Sequence, residues 1–436
     1  MATERSTGVG LSAALVLVLA ATVIPPLTGW DVHARDTGAD VFPPLHGYVQ
    51  AKLGPGTIPA LVLALLGWRH ARALADCLPW RRLLVTSYAA GLGWLLSLAY
   101  VDGAAGISRV LGNHYEYLRT ARQVTSVHTL LQVYVDRIPE GSAGQWPVHV
   151  AGHPPGTLLF FVLLDRIGLG GDYAAGLVVT VLAATTALAV MVTLRLLGGE
   201  AVARRAAPFL VLGPAAVFMA VSADALMGAV VAWGLAALAA GATAASRGRM
   251  VAWSTLAGLL LGYACLMSYG LPLVGLLAVA VLVLARSWRP LPVAAVLALA
   301  VVLAFAAGGF RLWEAYPVLA DRYWAGIAAV RPASYWMWGN LAALVISAGP
   351  VLGAGLANLR RTTDRLVLWL AGSAVAAVLL ADASRMSKAE VERIWLPFVP
   401  WLLLTTALLP ERWRRPALAL QLVTALLVQH LLYTSW

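Results

Sequence analysis

The sequence predicts an all-α polytopic membrane protein, and three observations predict it. Of 436 residues, 61% are hydrophobic and only 12% charged, whereas soluble domains run near 45–50% apolar and about 25% charged. The apolar residues gather in runs of about 17–22, long enough for a helix to cross a hydrocarbon core of about 30 Å. The basic residues fall in short segments between those runs. The net charge of +11 therefore reads as a topology signal, since nucleic-acid binding would need cations clustered on one solvated face. Cys77 and Cys265 are too few for a disulfide framework.

Taken in order, the first run, Gly8 to Leu27, follows Glu4 and Arg5 and has no small-x-small cleavage site before Pro25-Pro26. It reads as a retained anchor and not as a signal peptide. Further spans are expected near 55–68, 83–101, 175–196, 206–222, 225–244, 251–267, 270–286, 291–310, 337–358, 366–381, 395–410 and 416–434, about 13 transmembrane helices in all. The second of them is short and contains Pro55 and Pro59.

Basic residues are retained on the cytoplasmic side. With the N-terminus inside, the cytoplasmic segments hold 18 of the 31 Lys and Arg residues and five acids, which leaves 13 basic and 15 acidic residues outside. That asymmetry decides the apolar stretch Thr157 to Leu164, because counting it as a span would invert every later basic segment. Pro155 to Ile167 is therefore expected as a short interfacial helix. The chain is then one transmembrane domain over 1–436, with a long extracytoplasmic segment at 102–174. No polar segment is long enough to bury a core of its own.

Polar groups held at the outer membrane edge are costly and mark candidate function. Trp30 to Asp36 places Asp31, His33 and Asp36 directly after the first span; the alternative is a solvated loop that halts translocation. Asn113-His114-Tyr115-Glu116 sets a carboxylate among aromatics and a histidine, a setting suited to general-base work, or else a surface helix. His149-Val150-Ala151-Gly152-His153-Pro154-Pro155-Gly156 opens the interfacial helix. Its free amides would favour an anion such as a lipid phosphate, unless the prolines only turn the chain. Ser222-Ala223-Asp224 puts one acid between consecutive spans, as a site residue or a helix cap. Asp382 to Arg393, reading DASRMSKAEVER, offers Arg385, Lys388 and Arg393 for a phosphate, or a loop salt-bridged through Glu390 and Glu392. The aromatics between Trp313 and Trp338 suit an interface belt or stacking on sugars. No Walker loop, Cys/His zinc spacing or Gly-x-Ser-x-Gly elbow is evident, which disfavours an ATPase, a zinc protease or an ordinary serine hydrolase.

The order of these features resembles the GT-C superfamily of membrane glycosyltransferases, in particular the protein-mannosyltransferase and aminoarabinose-transferase-like branch. The resemblance rests on the outer acidic motif, His153-Pro154-Pro155 opening a short helix, Arg204-Arg205 ending a span, and Pro214 leading to Ser222-Ala223-Asp224-Ala225-Leu226. Glu392-Arg393-Ile394-Trp395-Leu396-Pro397 is similar to a segment of actinobacterial integral membrane proteins of the same broad group. The resemblance implies a polyprenyl-phosphate-linked sugar as donor and a glycan, lipid or protein acceptor at the extracytoplasmic face. It also implies an inverting displacement with Glu116 as base and Asp224 beside it. His114, His149, His153, Arg385, Lys388, Arg393, Asp31 and Asp36 would then bind substrate, and Mg or Mn on Glu116 and Asp224 is left open. The chain departs from the family pattern in two places. Relatives carry an Asp-Glu pair soon after the first span, and many place a lysine where this chain has Ser268-Tyr269-Gly270. A transporter or flippase of lipid-linked saccharide is the competing reading, although transporters tend to hold their ionisable groups near the midplane.

Overall fold

The computed structural model describes residues 2–34 and 41–434. These residues are nearly all α, 73% helical, with one small antiparallel pairing of Gly47–Val49 (β1) with Leu432–Thr434 (β2). Six helices are long and apolar enough to cross a membrane: Thr3–Thr28, Thr57–Cys77, Trp80–Asp102, Asp172–Leu196, Ala223–Ala242 and Arg365–Ala383. Two sharply bent pairs raise the number to eight if each is one span, Leu291–Ala307 with Leu312–Ala325 and Ala333–Ala348 with Val351–Leu359.

Six to eight such helices stand against the 13 spans expected, and Gly and Pro account for much of the difference. The run at 206–222 breaks at Gly213-Pro214 into Glu200–Val211 and the five-residue helix Ala215–Met219. The run at 395–410 is divided between Val399–Leu402 and a 3₁₀ turn, Leu403–Leu408. The run at 337–358 turns through 108° at Gly349, whose φ of 87° is open to glycine, followed by Pro350. Gln421 braces that bend. Its Nε2 donates to the Ala348 carbonyl at 2.7 Å, and a Cβ at Gly349 would lie 1.8 Å from its Oε1. In the other direction, the short run at 55–68 extends to Thr57–Cys77. Pro59 falls in its first turn, where no intrahelical N–H bond is lost.

Small residues let helices cross closely, as they do in membrane bundles. Gly10 and Ala14 on the first helix meet Gly353 and Ala357, and Asn358 Nδ2 donates across that crossing to Thr7 Oγ1 at 2.9 Å. Gly258 and Gly262 on Arg247–Cys265 receive Ala294 and Ala298 in the same way.

Charged contacts separate the two ends of the bundle. At one end Arg412 pairs with Glu4 at 2.6 Å, Arg72 pairs with Glu411, and Arg204 reaches the carbonyls of Ala75 and Leu78. These are the segments rich in arginine. The opposite end gathers residues 29–34, 41–46, 110–116, 148–149, 327–331 and 390 around one cavity. Helix Pro155–Arg166 matches the expected extent of the interfacial helix. It is pinned at its start by Gly156 N–H to the Leu266 carbonyl at 2.7 Å and by Thr157 Oγ1 to the Met267 carbonyl at 3.0 Å. Of the aromatics after residue 311, Trp313, Tyr316 and Trp324 are exposed. Tyr335 and Trp336 are buried under the chain that leaves the first helix. Trp336 Nε1 donates to the Val32 carbonyl at 2.9 Å and Tyr335 Oη to the Ala21 carbonyl at 2.8 Å, so these two rings belong neither to a belt nor to a sugar platform.

Candidate active site

The cavity holds about 860 Å³ and opens among Trp30, Asp31, His46, Glu116, His149 and Glu390. Glu116 reaches it through a local turn. The Asn113 side chain accepts the Tyr115 N–H at 3.1 Å, the Asn113 carbonyl accepts the Glu116 N–H at 3.2 Å, and Glu116 then stands at the start of helix Tyr117–Ala121 without capping it. Its carboxylate is free to turn aside. His149 sits on the short helix Val148–Ala151, and its backbone N–H donates to the Tyr115 carbonyl at 3.3 Å, which brings the two segments together.

The side chains form a row. His149 Nδ1 lies 2.7 Å from Glu116 Oε1, and Arg393 Nη2 lies 3.2 Å from His149 Nε2. An arginine only donates, so Nε2 accepts and the imidazole proton resides on Nδ1, directed at Glu116. His149 is thereby oriented with Nδ1 toward Glu116. Glu116 is 5% exposed, and its second oxygen, Oε2, is buried with no hydrogen-bond partner.

A second row has the same composition. Arg331 Nη2 lies 2.7 Å from His46 Nε2, and His46 Nδ1 lies 3.4 Å from Glu390 Oε1, so the same argument places the His46 proton on Nδ1. Ala389 and Glu390 adopt the left-handed region, with φ of 75° and 63°. Such strain in non-glycine residues gathers at functional sites. Arg393 joins the rows, with Nη2 on Glu390 Oε2 at 2.6 Å and Nη1 on Asp224 Oδ2 at 2.6 Å. Burial alone would raise the Glu390 pKa, but Arg393, His46, His149 and Arg331 outweigh it and hold the carboxyl well below its usual range. Burial would likewise lower Arg393, and Asp224, Glu390 and Glu116 reverse that and raise it.

The expected site residues fall into three groups. Glu116, His149 and Asp31 line the cavity; Asp31 is exposed on its rim and accepts the His33 N–H at 2.8 Å. Asp224 and Arg393 lie behind the wall as a buried ion pair. Arg393 is therefore engaged by three protein partners and is not placed for a substrate phosphate, and Asp224 does not share the Glu116 cavity. Asp224 is not the cap either, because Ser222 Oγ accepts the Ala225 N–H at 3.2 Å in that role.

The remaining expectations fall outside the cavity. Lys388 Nζ donates to the carbonyls of Ala328 and Arg331, both at 2.9 Å, and is buried as a structural group; burial, with Arg385 and Arg331 nearby, lowers its pKa. Arg385 and His114 are exposed away from the wall, His114 against Tyr115. His153 is half-buried, with Nδ1 on the His149 carbonyl at 2.8 Å, and burial lowers its pKa. The helix that it precedes offers few free amides, because Pro155 has none and Gly156 is bonded to Leu266. Asp36 lies outside the described residues.

A metal shared by Glu116 and Asp224 does not fit these residues, since Asp224 Oδ2 is bonded to Arg393 and His149 already occupies Glu116 Oε1. Among the described residues no cluster of three His, Cys, Asp or Glu is arranged to hold a metal ion.

Sequence reasoning missed His46 and Arg331. It offered Glu390 as a salt-bridge partner within its loop, and the structure pairs Glu390 with Arg393 three residues on. Arg331 is the one Lys or Arg among the described residues that line the cavity. No family model matches this chain, and no curated protein matches it.

Proposed function

We propose that the chain is a multi-pass plasma-membrane glycosyltransferase of GT-C type. It takes a sugar from a polyprenyl-phosphate donor and transfers it to a hydroxyl of an envelope glycan, lipid or protein acceptor. The arginine-rich end lies in the cytoplasm and the cavity on the extracytoplasmic face, following the retention of basic residues inside. The observation that carries the reading is the buried Oε2 of Glu116, without a partner, in the wall of a large cavity.

In the reaction, Glu116 Oε2 takes the proton of the acceptor hydroxyl as its oxygen attacks the anomeric carbon. The bond from that carbon to the phosphate oxygen breaks, the phosphate leaves with the electron pair, and the configuration inverts. His149 keeps Oε1 occupied, so the proton goes to Oε2. Phosphate is already a good leaving group, and Arg331 lends positive potential to the cavity wall while its own donors stay on His46 and the carbonyls of His33 and Lys388.

The test is purified full-length protein in nanodiscs with a radiolabelled polyprenyl-phosphate sugar and an envelope acceptor extract. Label should move to the acceptor with the parent protein and not with Glu116→Gln. Lipid-linked saccharide that changes leaflet while its bond stays intact would support the flippase reading instead.

A further inference from the structure

A second cavity, of about 630 Å³, opens where two candidate spans end together. Residues 50–55 ahead of helix Thr57–Cys77 form one wall, and residues 101–103 behind helix Trp80–Ala99 form another. The walls meet closely, because a Cβ at Gly54 would lie 2.1 Å from the Val101 carbonyl oxygen. The β1–β2 register sets Tyr48 opposite Tyr433. Their rings stack with centroids 4.9 Å apart, and the Arg109 guanidinium lies 4.9 Å from the Tyr433 ring centre.

The charges here do not balance. Asp102 Oδ2 accepts from Lys52 Nζ at 3.1 Å and from Gln429 Nε2 at 3.2 Å. Arg109 Nη2 stands 3.7 Å from the same oxygen, close enough for ionic attraction and too far for a hydrogen bond. Lys52 answers Asp102, and Arg109 is in excess. Its Nε is buried without a partner. A guanidinium carries a planar fork of donors that matches phosphate oxygens, and here it is stacked in place with its fork unused.

The surroundings are apolar and exposed. Leu53 is 85% exposed beside Lys52. Ile58, Leu61, Val62 and Leu65 are exposed along one face of helix Thr57–Cys77, leading away from the cavity. Cations at a span end above an apolar stripe are complementary to an anionic headgroup with its acyl chains.

We propose that this cavity binds the phosphate of an anionic phospholipid through Arg109 and Lys52, with the lipid chains along Ile58, Leu61, Val62 and Leu65. The site is separate from the transfer reading. Neither cation lines the larger cavity, although Val41, Pro43 and His46 line one cavity and Tyr48 and Gln50 the other, so the segment between them is a shared wall.

The experiment measures lipid retained by the purified, delipidated full-length protein, by native mass spectrometry, after exposure to phosphatidylglycerol or phosphatidylcholine micelles. Phosphatidylglycerol should be preferred, Arg109→Gln should weaken its retention about tenfold, and Arg109→Lys should recover part of it. Leu53→Glu, at an exposed position on the cavity wall next to Lys52, should weaken it as well and decides the matter if Arg109→Gln does not fold. Equal retention of the two lipids, or undiminished phosphatidylglycerol on Arg109→Gln and Leu53→Glu, would overturn the proposal. Inorganic phosphate alone raising the melting temperature as much as phosphatidylglycerol does would overturn the lipid assignment in favour of a soluble phosphate.

Discussion

His149 holds Glu116 by a 2.7 Å contact from Nδ1 to Oε1, and Arg393 behind the ring allows only the tautomer that makes it a donor. The pair leaves the other carboxylate oxygen, Oε2, without a hydrogen-bond partner. One oxygen is anchored and the other is buried and unpartnered in the cavity wall.

Replacing Glu116 with Gln should abolish sugar transfer while the protein stays folded. The amide keeps the shape and cannot take a proton, so the loss should be about 10²–10⁴-fold, with the melting temperature nearly unchanged. Full turnover would move the base to another acid, Asp31 first, since it also lines the cavity.

Changing His149 to Gln should lower kcat by about 10–100-fold with little effect on KM. The side chain acts on the base and makes no demand on substrate binding. A rise in KM with kcat preserved would instead make His149 a substrate ligand.

Asp224→Asn and Arg393→Met should each destabilise the protein by about 3–5 kcal/mol, because each strands a buried partner. The side chains are 4% and 6% exposed. Replacing both with apolar residues should recover much of the loss, read by thermal unfolding in detergent. The sequence offered Asp224 as a site residue or helix cap and Arg393 as a phosphate ligand; the structure pairs the two with each other.

Acid should weaken the fold through Glu390. Its folded pKa lies below the ordinary 4.5, so its contribution is fully present above that value and fades as pH falls toward the folded pKa. Glu390→Gln should melt lower than the parent at pH 7, and the gap should narrow below about pH 4.5. A gap that stays constant on acidification would remove Glu390 from the account.

Asp31→Asn should leave transfer within about threefold, since a rim carboxylate in water adds little to binding. A loss as deep as that of Glu116→Gln would shift the chemistry to the first loop.

The helical membrane class was legible because the length of an apolar run and its freedom from charge are properties of sequence alone. The span count was not, since a Gly-Pro step such as Gly349-Pro350 reads as apolar whether the helix passes through it or turns. Glu116, His149 and Arg393 stood out in sequence as polar groups among apolar ones, and the fold does connect them. Their roles were not legible, because nothing local says that Arg393 must satisfy Asp224. Arg331 and His46 are 285 residues apart, and neither carries a motif that points to the other.

The rows around Glu116 also impose a schedule on synthesis. Glu116 and His149 are 33 residues apart, while Asp224 waits another 169 residues for Arg393. Until that late segment arrives, Asp224 lacks the ion-pair partner that the finished bundle gives it at the start of helix Ala223–Ala242. The arrival of Arg393 supplies that partner and in the same step fixes the proton on His149. Closure of the ion pair and closure of the row onto His149 then depend on one residue, and a chain stopped before residue 393 would have neither.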